Sequence, residues 1–139
     1  MSKILYPLSL VYFGLAKLDR KFTESKKLNK PVISVGNITW GGSGKTPIVI
    51  DILETLVKNG FKPAVLTRGY GRKESKPVLL KDGAKNFQPS ETGDEPLLIF
   101  KSVPYARVII GSKRYDNALR FAKEAAPDVY VLDDGFQHW

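Results

Sequence analysis

Residues 36–47 read GNITWGGSGKTP, with four glycines in nine positions and a Lys-Thr pair at the end. What lies on either side decides the fold. PVISVGN (31–37) is a short β-branched run ending in glycine, which predicts a buried strand. After the loop, Ile48, Val49, Ile52, Leu53, Leu56 and Val57 recur at helical spacing until Asn59-Gly60 stops them. Pro47 falls in the first turn, where its missing N–H costs little. A strand, a glycine loop and a helix in that order form a phosphate cradle. Gly41, Gly42 and Gly44 let backbone N–H groups point at phosphate oxygens with no Cβ in the way, and the helix N-terminus adds partial positive charge. Lys45 is placed to reach the β- and γ-phosphates of a nucleotide, the Thr46 hydroxyl to ligate Mg²⁺, and Ser43 to donate a further hydrogen bond. The loop is a variant. Counting back from Gly44 puts Thr39 where the common pattern has its first glycine. Trp40 stands where ATPases that dimerise around nucleotide carry a lysine, which argues against that mechanism.

Outward from the loop, strand and helix alternate. PAVLTRGY (63–70) reads as a strand running into a loop, and KPVLL (76–80) as a short edge strand. Glu95 to Ser102 reads as a short helix and ARVIIG (106–111) as a strand. Lys113 to Ala125 reads as a helix with Leu119, Phe121 and Ala122 inward, and DVYVLDD (128–134) as a final strand. This order predicts an α/β chain, a three-layer P-loop NTPase-like fold around a mainly parallel sheet with crossover helices.

A phosphate loop of this kind works with a carboxylate at the end of a neighbouring strand. VYVLDDGFQHW supplies Asp133 and Asp134 after four mainly hydrophobic residues, at the edge where open α/β sheets bind ligands. Either can hold Mg²⁺ directly or through water; the bland alternative is a polar Asp-Gly turn. TGDEP (92–96) sets Asp94 at a helix start, where it serves either as a general base toward a substrate hydroxyl or, like Thr92, as an N-cap. Arg68, Tyr70 and Arg72 in LTRGYGRK, and Lys113 and Arg114 in GSKRYDNA, are candidates for gripping phosphate, or else solvated basic turns.

Composition bounds the class. A chain of 139 residues, 42% hydrophobic and 26% charged, fits one globular domain. With no cysteine and one histidine, His138, disulfides, thiolate metal sites and multi-histidine sites within the chain are excluded. Residues 1–30 hold seven cations against two acids, five of the net eight positive charges. Within them ILYPLSLVYFGLA (4–16) is apolar but shorter than the ~20 residues that span a bilayer. Only Lys3 precedes it and KLDRK follows, which argues against a cleaved signal. A helix packed on the domain and an amphipathic helix lying on a membrane both remain; Tyr6, Tyr12 and Phe13 beside Lys17, Arg20 and Lys21 suit the latter.

Four motifs in order, VISVGNITWGGSGKTP, LTRGYGRK, TGDEP and VLDDGFQH, resemble the tetraacyldisaccharide 4'-kinase family across nearly all of the chain. The resemblance implies transfer of the ATP γ-phosphate to the 4'-hydroxyl of an acylated glucosamine disaccharide 1-phosphate, giving lipid IVA. It implies a peripheral enzyme on the cytoplasmic face of the bacterial inner membrane, held there by residues 1–30, with no nucleic-acid partner. Carried over, Lys45, Thr46 and Ser43 belong to the nucleotide loop, Asp133 and Asp134 to the metal side, and Asp94 is the catalytic base. Arg68, Tyr70, Arg72 and Arg114 contact phosphate and sugar. Residues 31–139 then form the P-loop kinase core. Members of that family are roughly twice this length or more, so the resemblance also implies an N-terminal fragment. It would lack the histidine expected to assist Asp94 and would have little activity alone. The alternative from another class is a P-loop ATPase or GTPase switch with no lipid acceptor; Trp40 and the TRGYGR loop speak against it.

Overall fold

A computed structural model describes residues 26–36, 44–72, 76–81 and 87–135. The apolar run at 4–16, the loop residues Gly41, Gly42 and Ser43, and His138 lie outside the described residues. The elements run β1 (Val32–Val35), α1 (Lys45–Lys58), β2 (Pro63–Thr67), β3 (Val78–Leu80), α2 (Pro89–Thr92), α3 (Asp94–Ser102), β4 (Arg107–Ile110), α4 (Arg114–Ala125) and β5 (Val129–Asp133). One five-stranded sheet has the order β1-β5-β2-β4-β3. β1, β5, β2 and β4 are mutually parallel, and β3 closes one edge antiparallel to β4. All four parallel strands therefore end on one side, and that side carries the candidate site.

Side-chain alternation sorts the core into two layers. Val65, Val108, Ile110 and Val131 meet Val49 and Leu53 of α1 and Ile99 of α3 on one face. Ala64, Leu66, Ile109 and Tyr130 meet Ala118 and Ala125 of α4 on the other. β2 is buried along its whole length, as a central parallel strand covered on both faces must be. The expected three-layer α/β architecture is what the chain forms.

Two expectations are corrected. β1 is not a buried strand: Val32 and Ile33 are 45% and 37% exposed, because β1 is an edge strand paired with β5 alone among the described strands. On α4, Leu119 is 52% exposed. The inward stripe is Ala118, Phe121 and Ala125, spaced by three and four, and Leu119 lies about 100° away from Ala118 around the helix. Residues 26–30, the end of the predicted N-terminal segment, are irregular rather than helical. They lie against the core, with Leu28 on the α4 layer, Lys26 3.8 Å from Asp116 and its ammonium 5.1 Å from the Tyr115 ring centre. Among the described residues no helix is long and apolar enough to cross a membrane.

Candidate active site

α1 starts directly after Gly44, which holds the left-handed conformation at φ 66°. Among the described residues no side chain caps this helix, and its first turn contains no acid. Its leading N–H groups, which have no partners within the helix, and its positive dipole end are thus directed to an external anion. Lys45, the first residue of α1, pairs its ammonium with the Asp134 carboxylate, both groups partly buried. Thr46 follows, half-buried.

β5 delivers the acidic pair in two different settings. Asp133 ends the strand, 7% exposed, and accepts a hydrogen bond of 3.1 Å from the Thr67 hydroxyl on neighbouring β2. Asp134 turns into the left-handed region at φ 58°. Aspartate tolerates that region better than most residues, since its short polar side chain bonds locally. The Gly135 N–H then donates to the Val35 carbonyl at 2.9 Å, so the acidic turn is tied to the end of β1, where the glycine loop departs. From the other side Arg114 donates through Nη1 to the carbonyls of Asp133 and Asp134, at 2.9 and 3.0 Å.

Burial dominates the electrostatics. It pushes the Asp133 carboxyl above its ordinary range; the Thr67 hydroxyl works against this, Glu95 and Asp134 push it further up, and Lys45 draws it down. Burial also holds the Arg114 guanidinium below its usual value. The Arg68 charge adds to that, while Asp134, Tyr70 and Asp133 oppose it. A group favoured in its protonated form by the fold stabilises most below its unfolded pKa, and that contribution is lost as pH rises through the raised folded value. When ionised, Asp133 is therefore a burden on stability. Asp133→Asn is expected to unfold at a higher temperature than the unsubstituted chain at pH 8 in metal-free buffer. The difference should shrink as the solution is acidified, which thermal melts across that range will check.

The remaining candidates occupy the same rim. Arg68 follows β2 directly, and its Nε is buried with no hydrogen-bond partner among the described residues. Tyr70 is exposed in the loop beyond. Arg72 donates to the Lys76 carbonyl at 2.7 Å, within its own loop. Asp94 is the exposed first residue of α3. Neither Thr92 nor Asp94 caps that helix. The cap position is Gly93, Gln88 forms a capping box on the preceding turn, and the buried Thr92 hydroxyl bonds the Gln88 and Gly93 carbonyls. Gly93 abuts the Tyr70 carbonyl, so the arginine loop and the Asp94 turn meet backbone to backbone. Two features were not anticipated from the sequence: Thr67 as the partner of Asp133, and this glycine contact. A threonine ending a strand carries no signal beyond β-propensity.

The donor set suits a nucleoside triphosphate and Mg²⁺. Thr46, Asp133 and Asp134 offer hard oxygens of the kind Mg²⁺ takes. Among the described residues no three acidic or histidine side chains cluster tightly enough to hold a metal alone. Mg²⁺ is commonly held by one or two carboxylates together with substrate phosphates. The orphaned Arg68 Nε and the uncapped α1 terminus suit phosphate oxygens.

Fold and rim together define a P-loop phosphate-binding α/β protein. Comparison narrows the class. The sequence profile of the family described as Tetraacyldisaccharide-1-P 4'-kinase matches residues 1–139. Among curated relatives, the tetraacyldisaccharide 4'-kinase of Pelobacter propionicus is 39% identical over 99% of this chain and 40% of its own length. That of Syntrophus aciditrophicus is 48% identical over 86% of this chain and 33% of its own length. The crystal structure of LpxK from Aquifex aeolicus, described as an apo form in complex with ATP, superposes with a TM-score of 0.80 at 38% identity, covering 96% of this chain and 44% of that one. The chain belongs to the tetraacyldisaccharide 4'-kinase family. It spans about two fifths of the length of the curated relative from Pelobacter.

Proposed function

We propose that the protein transfers the γ-phosphoryl group of ATP to the 4'-hydroxyl of a tetraacylated glucosamine disaccharide 1-phosphate, giving lipid IVA. The observation that carries this reading is the Lys45–Asp134 pair, which sets the loop lysine against the strand-end acids at the mouth of an uncapped helix. The family membership supports the same acceptor.

In this reading the amides at the start of α1 and the Lys45 ammonium hold the β- and γ-phosphates. Arg68 and Arg114 draw on the same phosphate charge from the opposite rim, and Tyr70 lies toward the sugar. Mg²⁺, held by Thr46 and one or both aspartates, supplies neutralisation of the phosphate charge when bound. Asp94 accepts the proton of the 4'-hydroxyl as that oxygen bonds to the γ-phosphorus. The bond from the γ-phosphorus to the bridging oxygen breaks, and ADP departs with that oxygen. Residues 1–30 place the enzyme on the cytoplasmic face of the inner membrane. Each basic residue there adds ~1 kcal/mol of attraction to anionic headgroups.

The test is transfer of label from γ-labelled ATP to the tetraacyl disaccharide 1-phosphate in detergent micelles. Label on the 4'-oxygen of the lipid, at a low rate for residues 1–139 alone, is the expected result. Label released only as inorganic phosphate, with or without lipid, would replace this reading with the nucleotide-switch alternative.

A further inference from the structure

The two aspartates that end β5 are held by different means, and one of those means has no place in the reading so far. Leu66 and Leu132 are register partners in the parallel pairing of β2 with β5, so Thr67 and Asp133 are the next residues along adjacent strands. Both side chains are buried, at 4% and 7% exposure, and the Thr67 hydroxyl donates to Oδ2 of Asp133 at 3.1 Å. The backbones on either side are fixed as well. The Thr67 carbonyl accepts from the Gly111 N–H at 2.9 Å, and the Asp133 carbonyl accepts from Arg114 at 2.9 Å. With both chains pinned, the carboxylate is left its two side-chain torsions, and the hydroxyl restrains them by holding Oδ2 on β2. We propose that Thr67 is a positioning residue for phosphoryl transfer, acting through Asp133 by holding one of its two carboxylate oxygens on β2 and so fixing the orientation of the carboxylate. The proposal rests on the kinase reading for its rate consequence, but not for its structural claim.

Thr67→Val replaces the hydroxyl with a methyl of nearly equal volume, and Thr67→Ser keeps the hydroxyl and drops the methyl. The experiment measures kcat and KM for ATP in the purified protein for both variants. Thermal melts of Thr67→Val, Asp133→Ala, which removes the acceptor, and the double variant complete a cycle that needs no activity. The expected result is a fall in kcat of about ten- to a hundredfold for the valine variant, the loss usual for one hydrogen bond to a charged group. KM for ATP should stay within about twofold, and serine should restore most of the rate. In the melts, the two substitutions should be non-additive by about 2 °C or more. A valine variant as fast as the parent, or a serine variant as slow as valine, would overturn the proposal, since packing and not the hydroxyl would then be at work. If no transfer is seen with any variant, as expected should residues 1–139 have little activity alone, the melts decide. Additive shifts would then mean that Thr67 does not hold Asp133.

Discussion

Lys45→Ala is expected to lower phosphoryl transfer by about a thousandfold or more, comparable with or beyond the loss of one preorganised donor to a transition-state oxyanion. The estimate rests on what this ammonium does in two states. Without nucleotide it is held by the Asp134 carboxylate, at the first residue of a helix whose N-terminus has no other cap. In the proposed reaction it faces negative charge spread over the γ-phosphoryl oxygens, in a transition state that positioning and electrostatics stabilise almost alone. Alanine removes the charge and also leaves Asp134 partly buried with its cation gone, so the acidic turn loses order at the same moment. Lys45→Arg tests the two effects separately. It retains charge but replaces a compact ammonium with a planar fork, and should recover the pairing better than the rate. The measurement is kcat/KM for labelled transfer, with a thermal melt of each variant to establish that the fold survives. A Lys45→Ala protein within tenfold of the parent would remove the loop lysine from the chemistry.

The same pair predicts a competition. Asp134 and the nucleotide both seek Lys45. Asp134→Asn keeps a residue that accepts the left-handed backbone at φ 58° while discarding the charge. It is expected to bind ATP several-fold more tightly in chelator and yet to transfer more slowly once Mg²⁺ is supplied, because one of the oxygens proposed to hold that ion is lost. Calorimetric titration in chelator reads the first half of this, and the transfer assay the second.

Much of this arrangement was legible in residue order. The β-branched run before the glycine loop, the helical spacing after it and the hydrophobic run into Asp133-Asp134 each have local causes, so the strands and helices fell where the pattern put them. KPVLL forms an edge strand of the sheet, as its short run predicts. What failed was decided between elements. Whether Val32 and Ile33 are covered depends on what lies beside β1, which the run VISV does not encode. Leu119 is expected inward with Phe121 and Ala122, whereas the buried face of α4 carries Ala118, Phe121 and Ala125. At the site, the candidate residues Lys45, Asp133 and Asp134 were legible in the sequence, and the Thr67 hydroxyl that bonds Asp133 was not. Lysine and aspartate next to glycine are distinctive, but a hydroxyl that matters only because a strand 66 positions away lies beside it is not.

Gly93→Ala is the second large effect, and it acts on Asp94, the proposed general base, without touching it. Gly93 sits at φ 86°, ψ 157°, a region essentially reserved for glycine, where another residue costs on the order of 1–3 kcal/mol. A Cβ there would also stand 2.8 Å from the Tyr70 carbonyl oxygen and 3.4 Å from the Gly69 carbonyl carbon. Both are backbone atoms, so no side-chain rotation relieves the contact, and Gly69 has little room to retreat because it is itself packed against Ile110 and the Thr92 carbonyl. The turn must move, and Asp94 is the next residue. The expected outcome is a loss of about 3 kcal/mol or more of stability from backbone strain and steric overlap together. Transfer should fall toward the rate of Asp94→Asn, since a displacement of ~1 Å can remove a hundredfold in rate. Asp94→Asn keeps the backbone and removes only the base, so the two variants separate position from chemistry. Asp94→Asn should melt with the parent and transfer about a hundredfold or more slower, whereas Gly93→Ala should lose both stability and rate. Guanidinium titration and the transfer assay on the same preparations give the comparison. A Gly93→Ala protein with the parent's stability would mean that the arginine loop and the Asp94 turn do not meet backbone to backbone. One that is destabilised yet fully active would mean that Asp94 need not be held where α3 begins.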